Sequence, residues 1–304
     1  MIIGDLKPAL YALLCLIWGS TWLVIKVGYG GLGPFNVAAL RFFVAGLLCL
    51  PIVPLARARW PRDTGEWLLV TFVGVVLFGL DYGLIYWSEQ FIDSGLTAVL
   101  FATLPLITIV AAHLYVPGEP ITRRKLAGTL LAFLGVVALF GDRLRLDPEK
   151  AMPMAAVIAA TAFAAAASVA TKRHGAALHP AALNAPAMLV GAATLLMASL
   201  ASGESFSIPR DAQTMAAIAY LAVAGSVISF LAYFSLLKAW TTTSLSFISV
   251  FTPAIALVLG FMFLDERPTP MTAVGGVLIL AGVTLAVTAA AARTRRRGAR
   301  HGVS

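Results

Sequence analysis

Charge is what this chain has least of. Asp, Glu, Lys and Arg make up 12% of its 304 residues, while 60% are hydrophobic. Soluble domains carry about 25% charged residues, and a chain of this length needs them to cover its surface. Their scarcity excludes an ordinary water-soluble globule and makes lipid the natural solvent for most of the sequence. Cysteine is nearly absent. Cys15 and Cys49 lie inside apolar runs with no partner spacing, so neither a disulfide framework nor a thiolate metal site follows. His113, His174, His179 and His301 have no metal spacing either. There is no P-loop, no H-E-x-x-H and no nucleophile elbow, which removes ATP hydrolysis by this chain and the commonest hydrolytic chemistries. The sequence calls for no catalytic residue, no metal and no cofactor.

The excess of positive charge, +8, does not indicate nucleic acid, because no basic patch is interleaved with aromatic residues. The Arg and Lys instead fall between long apolar runs. A bilayer-crossing helix needs about 20 mainly apolar residues, and ten stretches qualify: 8–27, 34–55, 66–88, 94–116, 124–141, 151–171, 180–202, 212–236, 241–263 and 270–292. The first has no small-residue cleavage site and is one of many similar runs, so it reads as a retained helix rather than a signal peptide. The pattern predicts an all-α integral membrane protein with ten transmembrane helices and short connections.

Positive residues set the orientation. With the N-terminus inside, cytoplasmic segments hold fifteen of them, including Arg57, Arg59, Arg62, Arg123, Arg124, Lys125, Lys172, Arg173 and Lys238, together with the basic tail 293–304. External segments hold six: Lys26, Arg143, Arg145, Lys150, Arg210 and Arg267. Both termini are therefore expected in the cytoplasm.

Two passages repeat. Gly128 and Gly135 follow Glu119 at nine and sixteen residues, and Gly275 and Gly282 follow Glu266 at the same distances. Pro105 and Pro253 lie upstream, and Lys26 and Lys172 close the first helix of each copy. The chain thus divides into five-helix units, 1–145 and 146–292, followed by the tail 293–304. Five is odd, so the second unit enters the membrane from the opposite face. The "GEPITRRK" loop is then cytoplasmic and the acid-rich "DERPTP" loop external, which accounts for their opposite charge.

Ten helices in two halves, "ALRFFVAGLL" at 39–48, and a Pro-bearing helix before a Glu loop and a glycine-rich helix resemble the drug/metabolite transporter superfamily, and within it the EamA branch. The resemblance covers about 8–292. It implies a central cavity between inverted repeats, lined by helices one, three, four, six, eight and nine. It also implies alternating access and export of amino acids or similar metabolites across a bacterial-type inner membrane. In the second half "AFAAAASVATK" (162–172) stands where the first has "WGSTW", so the site is expected to be asymmetric.

Arg41 and Asp81 are the charges most out of place, about 10–12 Å below the outer surface at ~1.5 Å per residue. A lone charge in the membrane costs at least about 2.5–3.5 kcal/mol, so such residues pair or face a cavity. Equal depth and opposite sign lead us to expect a mutual ion pair, with a cavity-facing role in substrate binding or gating as the functional reading. Trp18 and Trp22, Tyr82 and Tyr86, and Phe101 cluster on the first half's lining. Trp22 and Tyr86 fit an interfacial aromatic belt; for Trp18, Tyr82 and Phe101 cavity wall and helix packing are equally compatible with the spacing. Phe163 and Tyr233 are the second half's candidates. Thr242, Ser246, Ser249 and Pro253 share one helical face, which suggests cavity over lipid, although hydroxyls also bond back to their own helix. Pro105 and Pro253 predict paired kinks near the binding region. Glu119 and Glu266 read as charge partners of helix N-termini.

Overall fold

The computed structural model describes residues 2–140, 148–255, 270–271 and 274–286. All regular structure among them is helical: α1 (Ile2–Val27), α2 (Pro34–Leu55), α3 (Thr64–Ser88), α4 (Ser94–Tyr115), α5 (Arg123–Phe140), α6 (Ala151–His174), α7 (Pro180–Ala201), α8 (Ala212–Ala239), α9 (Thr242–Ile255) and α10 (Val274–Ala286). Seven of these, α1 to α4 and α6 to α8, are long and apolar enough to cross a membrane. The helix α5 begins with three cations, and α9 and α10 are shorter over the described residues. The ends of the expected spans 241–263 and 270–292, the loop holding Glu266 and Arg267, the connector with Arg143 and Arg145, and the tail 293–304 lie outside the described residues.

Polar residues at the apolar runs' ends start the helices. Asp63 accepts from the Glu66 amide, Asp211 from Thr214 and Thr241 from Ser244, each satisfying an N-terminal donor that has no partner within its helix. Two further caps reach across the molecule. Glu204, between α7 and α8, accepts from the Phe35 and Asn36 amides at 3.3 and 2.9 Å and so closes the start of α2. Glu119, after α4, accepts from the Thr242 amide at 2.8 Å and its hydroxyl at 3.1 Å, closing the start of α9. Each carboxylate ties one half of the chain to the other.

Glycine lets the helices approach. Gly74 of α3 and Gly191 of α7 face each other's helices so closely that a Cβ on Gly74 would lie 2.7 Å from the Ala187 carbonyl oxygen. A Cβ on Gly128 would lie 2.5 Å from the Gly282 carbonyl oxygen, and one on Gly135 would lie 2.8 Å from that of Gly275. The repeated glycines of the sequence thus meet across the α5–α10 contact, where close backbone packing replaces the hydrophobic drive that lipid cannot supply.

Two helices carry π-helical turns, Gly74–Asp81 in α3 and Val223–Ile228 in α8. Such turns are rare and shift backbone carbonyls out of the α register. Helix α4 is interrupted at Ala102 and Thr103, just before Pro105, and α9 has a turn at Phe247, six residues before Pro253. These four irregular segments lie on helices that wall a common space.

Candidate functional site

That space is a cavity of about 80 Å³, enclosed by α1, α3, α4, α6, α8 and α9, the same six helices that the family resemblance implies. Its wall is aromatic. Trp18 packs on Phe230 and Tyr233 with ring centres 5.3 and 5.5 Å apart, and Trp22 meets Phe101 edge-on at 5.5 Å. Ser168 and Tyr233 share a 2.8 Å hydrogen bond between hydroxyls, so the polar tip of Tyr233 is fixed by α6. Leu245, Ile248, Ser249 and Thr252 form the face that α9 presents. The Ser249 hydroxyl donates to the Ser246 carbonyl and Thr252 to that of Ser249, each staying within its own helix.

Arg41 is fully buried behind this wall, and its guanidinium is occupied. Nη2 donates to the Gly225 carbonyl at 3.1 Å, Nε to the Ser226 hydroxyl at 2.9 Å and Nη1 to the Tyr86 hydroxyl at 3.2 Å. The cation also stacks over Tyr82 and Phe42, at 4.7 and 5.0 Å from the ring centres. Gly225 lies in the π turn of α8, and its carbonyl accepts from the Trp18 indole as well, at 3.3 Å. Arg41 therefore pins α2 to the irregular turn of α8 and to α3.

The expected ion pair is not formed. Asp81 closes the π turn of α3, is 2% exposed and lines the cavity, and its Oδ1 has no partner. Equal depth on neighbouring helices leaves the azimuth open, and the planar fork of Arg41 finds better geometry on a carbonyl and two hydroxyls. The Trp22 indole Nε1 is the second unpartnered polar atom on the cavity wall. Two wall residues thus carry buried polar atoms without a partner, the acceptor Asp81 Oδ1 and the donor Trp22 Nε1, among aromatic and aliphatic surfaces.

Of the residues expected to line the cavity, Trp18, Tyr82, Phe101, Tyr233 and Ser249 do so. Phe163 does not: α6 turns Ala164 and Ser168 inward, one helical turn apart, and Phe163 lies about 100° round the helix from Ala164. Ser246 is buried but donates to the Thr243 carbonyl at 2.7 Å, outside the wall. Trp22 and Tyr86 are not belt residues, since they are 8% and 0% exposed, the first in the cavity and the second under Arg41. Thr21, Ser168 and Phe230 belong to the wall without having been singled out. Phe230 lies one turn before Tyr233, and Ser168 is the one hydroxyl in "AFAAAASVA"; both signals were in the sequence.

Comparison with known proteins gives this arrangement a place. A solved crystal structure superposes with a TM-score of 0.77 over 94% of this chain and 98% of its own, at 21% identity, a likeness of fold. An uncharacterized transporter of Archaeoglobus fulgidus is 28% identical over 91% of this chain and 95% of its own. The uncharacterized inner membrane transporter YedA of Escherichia coli is 29% identical over 83% of this chain and 80% of its own. A probable terminal-alkyne amino-acid exporter of Streptantibioticus cattleyicolor is 28% identical over 92% and 93%. The EamA-like transporter family model matches twice, over residues 6–141 and 151–288. With nearly its whole length covered, this multi-pass membrane chain belongs to the EamA-like transporter family.

Proposed function

We propose that the protein is a secondary exporter of amino acids, aromatic and other neutral ones first, working by alternating access between two inverted five-helix halves with both termini in the cytoplasm. The observation that carries the substrate class is the pair of unpartnered polar atoms on the cavity wall. A buried polar group without a partner costs about 1–3 kcal/mol, and a ligand that supplies partners removes that cost. The ammonium of a zwitterion donates to Asp81 Oδ1, its carboxylate accepts from Trp22 Nε1, and the ring faces of Trp18, Phe101, Phe230 and Tyr233 cover a side chain of variable shape. Arg41 is not the carboxylate's partner here, because it is not a wall residue and is held behind the wall by Gly225, Ser226 and Tyr86. The probable terminal-alkyne amino-acid exporter among the relatives is in line with this reading.

The inverted repeat is supported by the double family match and by the glycine contacts. Gly128 faces Gly282 and Gly135 faces Gly275, so α5 and α10 run antiparallel; exchanging the two repeats turns this set of contacts into itself, as an in-plane two-fold axis requires. Wall residues come from both halves, so rocking one against the other opens the cavity to either face.

Ligand-induced stabilisation tests the substrate class. Tryptophan, phenylalanine, methionine and threonine are added to the purified protein and the melting temperature is followed. A ligand at a hundred times its Kd stabilises by about 2.7 kcal/mol, so at least one should raise the melting temperature, and Asp81→Asn should abolish the rise. No rise with any amino acid, but one with another metabolite class or a drug, moves the substrate elsewhere within the family.

A further inference from the structure

Away from the aromatic site, a second cavity of about 250 Å³ opens between the ends of α6 and α8 and the start of α7. Its wall includes Thr171 and Lys172 from α6, Pro180 and Leu183 from the first turn of α7, and Phe234 and Lys238 from the last turns of α8. No carboxylate lines it. Lys172 is engaged: its Nζ donates to the carbonyls of Leu237 and Trp240 at 2.7 and 2.9 Å, and Glu119 is the acidic group near it. Lys238 has no ion pair among the described residues. Beside it, burial and the Lys238 charge push His179 below its usual range, and its Nδ1 accepts from the Ala181 amide at 3.2 Å. The N-terminus of the 22-residue helix α7, its Ala181 and Leu183 amides capped by His179 but its positive dipole end still facing outward, thus lies beside an uncompensated cation. Thr171, only 7% exposed and with its hydroxyl lacking any hydrogen-bond partner, belongs to the same wall.

Cation, helix N-terminus and buried donor all ask for an anion. We propose that this cavity is an anion site that takes a phosphate group, supplied by the headgroup of an anionic phospholipid. The candidate spans Pro148–His174 and Ala212–Ala239 end beside it and Pro180–Ala201 begins there, which sets it at headgroup depth. The Thr171 hydroxyl donates to one phosphate oxygen and Lys238 neutralises the charge.

Native mass spectrometry of the full-length protein, released from vesicles of equal phosphatidylglycerol and phosphatidylcholine, provides the test. Phosphatidylglycerol should be retained in preference. Lys238→Gln should weaken its retention about fivefold, the equivalent of ~1 kcal/mol per basic residue, and Thr171→Val should weaken it further. Melting temperatures measured without added lipid show whether each variant is folded, and Lys238→Gln, on a half-open side chain, keeps the test decisive if Thr171→Val is not. Displacement of the lipid by low-millimolar inorganic phosphate identifies a soluble phosphate as the ligand and overturns the headgroup assignment. Equal retention of both lipids, or variants that hold phosphatidylglycerol as well as the parent does, overturns the site itself.

Discussion

Arg41 sets three groups at once, and its chemistry is visible in what a substitution would leave behind. Hydrogen bonds to a charged group contribute about 1.5–3 kcal/mol, and truncation orphans the Tyr86 hydroxyl in a buried setting, while Ser226 keeps its bond to the Leu221 carbonyl. Arg41→Ala should lower the melting temperature sharply. Arg41→Lys should recover only part of the loss, because an ammonium cannot bond two helices with one planar fork while stacking over Tyr82. If Arg41→Lys melts like the parent, the fork geometry has no role. Glu119→Ala removes the acceptor for the amide and hydroxyl of Thr242 and should cost about 0.5–2 kcal/mol, as cap losses do; Glu119→Gln, which keeps an acceptor, should cost less in the same melt. Residue by residue, the sequence showed types and spacing but not azimuth. Trp18, Tyr82, Phe101, Tyr233 and Ser249 could be singled out because apolar helices carry few such groups. The pairing of Arg41 could not, since it depends on a π turn in α8 that no spacing announces.

At the scale of elements, the legible part was large. Helices of this length in lipid are dictated by hydrophobic runs alone, because every backbone amide and carbonyl needs an internal partner, and α2 to α8 begin and end within about three residues of the runs. The glycine register also carried structural meaning in plain view: the residues that repeat are those that touch across α5 and α10. Gly128→Ala should therefore destabilise by about 1–3 kcal/mol, since the added methyl meets backbone of α10, which cannot rotate away. Gly276→Ala, with open space around its Cβ, should be near neutral in the same unfolding experiment. Less legible were the irregular segments. Pro105 pointed to the break in α4, yet the break in α9 falls at Phe247, some distance from Pro253, because a freed carbonyl can be re-satisfied by several local rearrangements.

At the scale of the whole molecule, the distribution of positive residues predicts sidedness. Cys15 and Cys49 are buried, so an introduced cysteine is read against a low background. Ser205→Cys, on the exposed α7–α8 connection, should react with a membrane-impermeant maleimide in intact cells, and Arg62→Cys, between α2 and α3, only after permeabilisation. The reverse pattern would invert the orientation drawn from the positive residues. Transport itself was legible through order and duplication, since no single motif in an apolar chain is distinctive; the proposed substrate chemistry rests on the fold's bringing Asp81 and Trp22 to one wall.

The central claim is that this wall carries amino acids, and counterflow in proteoliposomes tests it most directly. Vesicles preloaded with unlabelled tryptophan or another neutral amino acid are diluted into its labelled form, with and without a pH difference. The account predicts transient accumulation of label in vesicles with the parent protein and its loss with Asp81→Asn. No accumulation with any neutral amino acid, from protein that is folded and correctly reconstituted, would contradict it.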